Sequence, residues 1–369
     1  MNMKKIALGM LGLVFAAVLV WAETDFKITD QPQDQIVAEG SSVTFSVKAE
    51  GGSSVFMDMI WIKPGKFTMG SPTNEIGRWP DEVRYHIDIS RGFWIGKYEV
   101  TQAQYMAVMG TNPAKEYGVG DDYPVYNVSW SDATNFCAKL TTLEKEAGRL
   151  PDGYAYCLPP EVLWEYACRA GTTTAFNNGE NILDEHWDKP CPGLEPIGWY
   201  PNNSGETTHP VGQKQPNAWG LYDMHGNVWE WCQDWFPGYK DKLRVVRGGG
   251  WCHFARYCRS AARGSGTPHQ RDRGCGFRVL LYQVADSPDK VLKEESFKVP
   301  LSTFTYQWKH AGNSIKGATG PSYTIEKVKP EDAGSYYVVV RCNGRSLVSD
   351  RVYLTLEPAK AKTEDPVEQ

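Results

Sequence analysis

The chain has 369 residues, 41% of them apolar and 22% charged, with a formal net charge of -5. That length and mixture exclude a disordered chain and suit two domains, or one large one, with buried cores. The acidic balance excludes an electrostatic nucleic-acid binder, since no basic stripe exists to displace counterions from phosphates.

Fourteen tryptophans and 36 glycines point to a loop-rich fold in which large aromatics pin irregular backbone. Residues 1–22 read as a signal peptide: a short basic start, an apolar stretch from Ile6 to Trp21, and Ala22 at a small-residue exit. No other stretch approaches the ~20 apolar residues of a membrane helix. The mature chain is therefore expected to be exported, periplasmic or secreted, with no membrane contact beyond that peptide. All nine cysteines follow the signal. An oxidising compartment would pair some of them, and the odd number leaves at least one over.

Residues 25–52 carry two short strand patterns, the second being Val43-Thr44-Phe45-Ser46-Val47. From residue 54 the pattern becomes denser. Ile60 to Ile62, the Pro64-Gly65 turn and Phe67 to Met69 read as strand, turn and strand. Thr101 is a candidate N-cap for a helix with Tyr105, Val108 and Met109 near helical spacing. A second helix places Ala133, Phe136, Cys137 and Leu140 on one face, and a third starts at Glu161 after Pro159-Pro160. Residues 297–358 return to short alternating strands, closing with Val352, Leu354 and Leu356 on one face. The tail, 359–369, is polar and expected to be disordered.

The two β-rich flanks resemble one immunoglobulin-like domain in two pieces. Trp308 stands where its core indole would be, and Asp332-Ala333-Gly334-Ser335-Tyr336 resembles its tyrosine corner. The usual cysteine positions hold Val47 and Val338, an apolar pair able to pack where the bridge would have been. Insertion of a guest domain into such a sandwich is tolerable when the guest's termini lie close together.

The middle, 54–284, resembles the formylglycine-generating enzyme (sulfatase-modifying factor) family. The resemblance rests on Gly220-Leu221-Tyr222-Asp223-Met224-His225-Gly226-Asn227-Val228-Trp229-Glu230-Trp231, on Arg247-Gly248-Gly249-Gly250-Trp251, and on Gly276-Phe277-Arg278. It implies an α+β, C-type-lectin-like fold, here inserted into the discontinuous all-β sandwich. The family's namesake reaction is copper-dependent oxidation of a sulfatase cysteine to formylglycine, and other relatives have no catalytic site.

Two constellations follow from the resemblance. Cys252 and Cys258 would be the catalytic copper ligands, two thiolates suiting soft Cu(I). Four departures weigh against them: Gly250 replaces a serine, one residue precedes Cys252 where two are usual, five separate it from Cys258, and the following loop is short. The alternative is a structural disulfide, natural in an exported chain. The second constellation is a calcium turn. Asp223 and Glu230 would supply carboxylates, and Gly226 and Val228 backbone carbonyls, as hard Ca²⁺ prefers. Glu99, Glu165 and Arg278 read as buried struts, and His253 as a positioning neighbour. Two functions stay open: an oxidase acting on a sulfatase or similar partner, or a non-catalytic module binding a glycan or protein.

Overall fold

The computed structural model describes residues 26–50, 55–146, 148–184, 189–284, 292–301, 304–342 and 345–358. Residues 1–22, read as a signal peptide, and the tail 359–369, expected to be disordered, lie outside the described residues. No helix among those described is long and apolar enough to cross a membrane.

The chain divides into two compact units, one from residues up to 53 together with those from 304 onward, the other spanning 54–303. The larger unit carries three helices. Helix α1 (Gln102–Met109) starts at Thr101 through a complete capping box with Gln104 and ends at left-handed Gly110. In α2 (Trp130–Glu146), Ala133, Phe136, Cys137 and Leu140 are buried. The Ser129 hydroxyl and amide both bond Asp132 at the entry to this helix. Helix α3 (Glu161–Arg169) follows Pro160, whose missing amide costs nothing at a helix start.

A five-stranded antiparallel sheet runs in the order Phe297–Leu301, Val55–Ile62, Phe93–Gly96, Leu280–Gln283, Tyr154–Cys157. Sequence alone places Phe297–Leu301 with the C-terminal flank. It pairs along its whole length with Val55–Ile62 and buries Val299 and Leu301 in the larger unit's core. The compact unit therefore takes in this strand, beyond the family-like segment 54–284.

Val55–Ile62 and Gly65–Met69 flank the Pro64-Gly65 turn but do not pair with each other. Gly65–Met69 pairs with Tyr85–Ile89 instead. At the turn a Cβ on Gly65 would stand 2.4 Å from the Tyr166 hydroxyl, so α3 occupies the space a side chain would need. A four-stranded sheet, Gly264–Gly266, Arg244–Arg247, Trp229–Trp235 and Cys275–Gly276, carries the motif-rich segments, and its last pair is parallel.

In the smaller unit, strands from both ends of the chain pair directly. Gln35–Val37 runs parallel to Val352–Leu356, and Val43–Ser46 pairs antiparallel with Ser322–Ile325. Thr305–His310 and Gly334–Cys342 form its central antiparallel pair. Trp308, Phe45, Tyr336, Val47 and Val338 share one buried cluster. The Tyr336 hydroxyl donates to the Asp332 carbonyl at 2.7 Å, and the Trp308 indole donates to the Gly320 carbonyl, so both large aromatics place their polar atom on main chain.

Candidate functional site: a buried carboxylate turn and a thiol–imidazole loop

The turn from Asp223 to Val228 enters the Trp229–Trp235 strand through two non-glycine residues with positive φ, Asp223 at 56° and Asn227 at 62°. Asx side chains tolerate that region because they bond locally. Asn227 uses every group it has. Its amide donates to Trp199 O, its carbonyl accepts from Trp251, and its side chain joins the Glu99 carboxylate to the His209 amide. Gly226 is obligatory: its φ is +91° and a Cβ would lie 2.1 Å from Trp199 O.

Around this turn three carboxylates, Glu99, Asp223 and Glu230, are buried with one guanidinium, Arg278. Glu230 takes two 2.6 Å bonds from Arg278 and one of 2.7 Å from the Trp164 indole. Glu99 accepts from Asn227 and from the Val228 amide. Burial raises its carboxyl well above the ordinary range, and the neighbouring Asp223 and Glu230 charges add to this. Asp223 accepts from the Gly212 amide at 2.7 Å through Oδ2, while its Oδ1 is buried without a partner. Burial pushes Asp223 up to about 6, against the opposing pull of the Gly212 amide and Arg278.

Three buried carboxyls face one guanidinium, and one carboxyl oxygen is without a partner, so the donors are of the hard oxygen type. Glu230 fits as a second ligand only by sharing: its Oε1 carries one bond from Arg278 and has a lone pair left. The residues Asp223, Gly226, Val228 and Glu230 thus suit Ca²⁺ on charge and donor type.

The second constellation is the loop 248–258. Gly248 and Gly249 take φ of 93° and 76°, and a Cβ on Gly249 would stand 2.5 Å from Cys258 Sγ. This main chain therefore lies directly on that sulfur. The eight cysteines of the larger unit are all thiols, so the disulfide reading of Cys252 and Cys258 does not describe this structure.

The two sulfurs flank His253. Cys252 Sγ is 3.4 Å from its Nδ1, and Cys258 Sγ is 3.9 Å from its carbonyl oxygen. Their surroundings differ. Cys252 is partly exposed, whereas Cys258 has no exposed surface and belongs to an apolar cluster with Phe176, Cys191, Leu194 and Tyr200. Burial raises both thiols above their ordinary range, Cys258 much further. A Cu(I) site that admits oxygen and a substrate thiol needs two thiolates facing one accessible point. Cys258 lies behind Gly249 and apolar side chains, so only Cys252 of the two is open to solvent.

The open feature here is a cavity of about 310 Å³ whose lining includes Trp229, Trp231, His253, Tyr257, Asp272 and Cys275, but neither Cys252 nor Cys258. Trp229 and Trp231, read from sequence only as flanks of Glu230, are part of its wall. The available signal was alternation on the strand, which sends residues two apart to one face. Tyr257 and Asp272 carried no such signal.

Sequence reasoning also passed over His225, which is fully buried. Its Nδ1 donates to Cys258 O at 2.6 Å and its Nε2 accepts from the Asn177 amide at 3.1 Å. Desolvation lowers it to about 4, outweighing the Cys258 carbonyl. Glu165 joins Arg169 and Arg247 in a buried network, and Arg247 also binds the carbonyls of Ser260, Ala261 and Ala262. Glu165 and Arg278 are thus struts that hold the loops.

Residues 46–282 match the model of the sulfatase-modifying factor enzyme 1-like domain. The chaperone protein LppX of Paenibacillus barcinonensis is 35% identical over 197 residues, 43% of this chain and 69% of that protein. The formylglycine-generating enzyme of Mus musculus is 32% identical over 176 residues, 42% of this chain. The match covers 44% of that enzyme, less than half its length. The structure of PvdO from Pseudomonas aeruginosa superposes with a TM-score of 0.52 at 30% identity, covering 60% of this chain and 93% of that one. With that match and the turn and loop described above, this chain belongs to the sulfatase-modifying factor enzyme 1-like family.

Proposed function

We propose that this chain is an exported member of the family that uses the fold as a recognition scaffold and does not carry out copper-dependent formylglycine formation. The observation behind this reading is the burial of Cys258 under Gly249 in an apolar cluster. Cys252 alone cannot make a two-thiolate site, and Gly250 occupies the place of the family serine. The partner class is an exported protein or a glycan.

Calcium would sit at Asp223 with the carbonyls of Gly226 and Val228 and one oxygen of Glu230. It would balance the buried negative charge and hold a turn with two positive-φ residues. The smaller unit reads as an immunoglobulin-like sandwich in two pieces, on the buried Trp308 and the Tyr336–Asp332 corner.

The test is direct. Purified protein is loaded with Cu(I), given a sulfatase-type cysteine peptide under oxygen, and the peptide mass is followed. The peptide is expected to keep its thiol, and Cu(I) to bind no more tightly to the wild type than to Cys258→Ser. Conversion of the cysteine to an aldehyde would overturn the reading. The second reading, the oxidase, is favoured by one fact: Cys252 and Cys258 are both thiols and both touch His253. N-terminal sequencing of the mature protein tests export, with a start at Glu23 expected.

A further inference from the structure

One lysine stands against the carboxylate turn without pairing with it. Lys214 Nζ lies 3.9 Å from the centre of the Trp199 indole and donates to the Glu195 carbonyl oxygen at 2.7 Å. His209 stacks on the same indole at 3.7 Å, with the planes 13° apart. Two groups that close to one ring centre cannot share a face, so the indole is held between imidazole and ammonium. Both ring-bearing residues are fastened to Asn227. The Trp199 carbonyl accepts its amide at 2.9 Å, and the His209 amide donates to its side-chain oxygen at 3.0 Å. Asn227 is the residue between Gly226 and Val228, whose carbonyls are the proposed calcium ligands.

The lysine's own loop is tied to the turn as well. Two residues before it, the Gly212 amide donates to Asp223 Oδ2, while Asp223 Oδ1 is buried without a partner. The Glu195 carboxylate, the other acid near the ammonium, accepts from the Tyr200 hydroxyl and the Asn203 side chain. No described carboxylate forms an ion pair with Lys214. Burial holds its ammonium below the ordinary lysine range, opposed by the Glu195 and Asp223 charges. A positive charge thus stands in the field of Asp223 but is held off it by a ring and a carbonyl. It would repel a dication beside Asp223, and because Lys214 is half-buried, solvent screens that repulsion only in part.

We infer that Lys214 sets the calcium affinity of this turn by electrostatic competition, its ammonium over Trp199 weakening the metal's hold on Asp223. This assignment rests on the calcium reading of the turn. A purely structural Lys214 makes the opposite prediction. Removing a strut of the Trp199 stack would loosen the turn and weaken the metal.

The experiment uses the full chain, freed of metal with a chelator and titrated with Ca²⁺ by calorimetry. Lys214→Met is expected to bind at least about fivefold tighter than the wild type. Lys214→Arg is expected to stay within about twofold of it, since the charge over the ring is kept. Should Lys214→Met fail to fold, Lys214→Gln carries the same comparison and keeps an N–H donor for the Glu195 carbonyl. Equal or weaker binding in the neutral variant overturns the assignment, and so does equal tightening in Lys214→Arg, which would mean packing rather than charge. Asp223→Ala, run beside these, separates the two claims. Saturable binding that Asp223→Ala loses and the neutral lysine variant does not tighten defeats this assignment alone. Binding absent from the wild type, or unchanged in Asp223→Ala, defeats the calcium reading, and the assignment falls with it.

Discussion

Acidification attacks this fold through His225. The buried imidazole donates from Nδ1 to Cys258 O and accepts at Nε2 from Asn177, so the native state holds one neutral tautomer with both nitrogens occupied. Protonation would turn Nε2 into a donor facing the Asn177 amide. The folded pKa is about 4 against an unfolded value of 6.5. The unfolded chain therefore takes up the proton first as pH falls. Stability from this group is complete above pH 6.5, declines below it, and is lost by pH 4. A difference of that size corresponds to roughly 3 kcal/mol, a large share of a typical folding free energy.

The assay is urea unfolding under reducing conditions at a series of pH values from about 7.5 to 4. The wild type is compared with His225→Gln, whose amide does not titrate. The variant starts less stable but should lose less on acidification, and the two curves should converge toward pH 4. Asp223 and Glu99, whose raised carboxyls act in the opposite sense, are common to both proteins and cancel in the difference. Parallel curves would refute the argument, because they would mean that His225 does not change its proton affinity on folding.

Gly249→Ala should destabilise by about 2 kcal/mol or more, since it adds a Cβ at φ +76° and 2.5 Å from Cys258 Sγ. Cys258→Ala in the same chain should restore part of the loss, measured by thermal unfolding. Arg278→Met should cost about 3–5 kcal/mol because it strands Glu230 in the core, and Arg278→Lys should not rescue it, one ammonium being unable to make the paired bonds. Calcium at a hundredfold excess over its dissociation constant should add about 2.7 kcal/mol of stability. A chelator should remove that increment in the wild type and do nothing in Asp223→Ala; equal response of the two proteins would exclude Asp223 as a ligand. Trp308→Ala should cost about 3–5 kcal/mol in the smaller unit, read from near-ultraviolet dichroism and unfolding.

Much of the fold was legible because its signals are local. Thr101 marks a helix start by a residue type that bonds within the first turn, and Ala133, Phe136, Cys137 and Leu140 mark the buried face of α2 by their spacing alone. The strand Phe297–Leu301 was misassigned for the converse reason. Its alternation says that it is a strand, but the choice of neighbour depends on Val55–Ile62, more than two hundred residues earlier.

The candidate site divides along the same line. The residue types of the proposed calcium turn and the presence of two cysteines beside His253 stand in the chain itself. Packing determined everything about their state: that Glu230 meets Arg278 and Trp164, that Asp223 keeps an unpartnered oxygen, and that Gly249 seals Cys258 while Cys252 stays partly open. Burial and partners fix whether a carboxyl or thiol is charged, and they arise only when distant segments come together. The sequence by itself therefore determined the elements and the chemical groups on offer. Tertiary structure decided which groups are reachable, because solvent exclusion is a property of the packed whole.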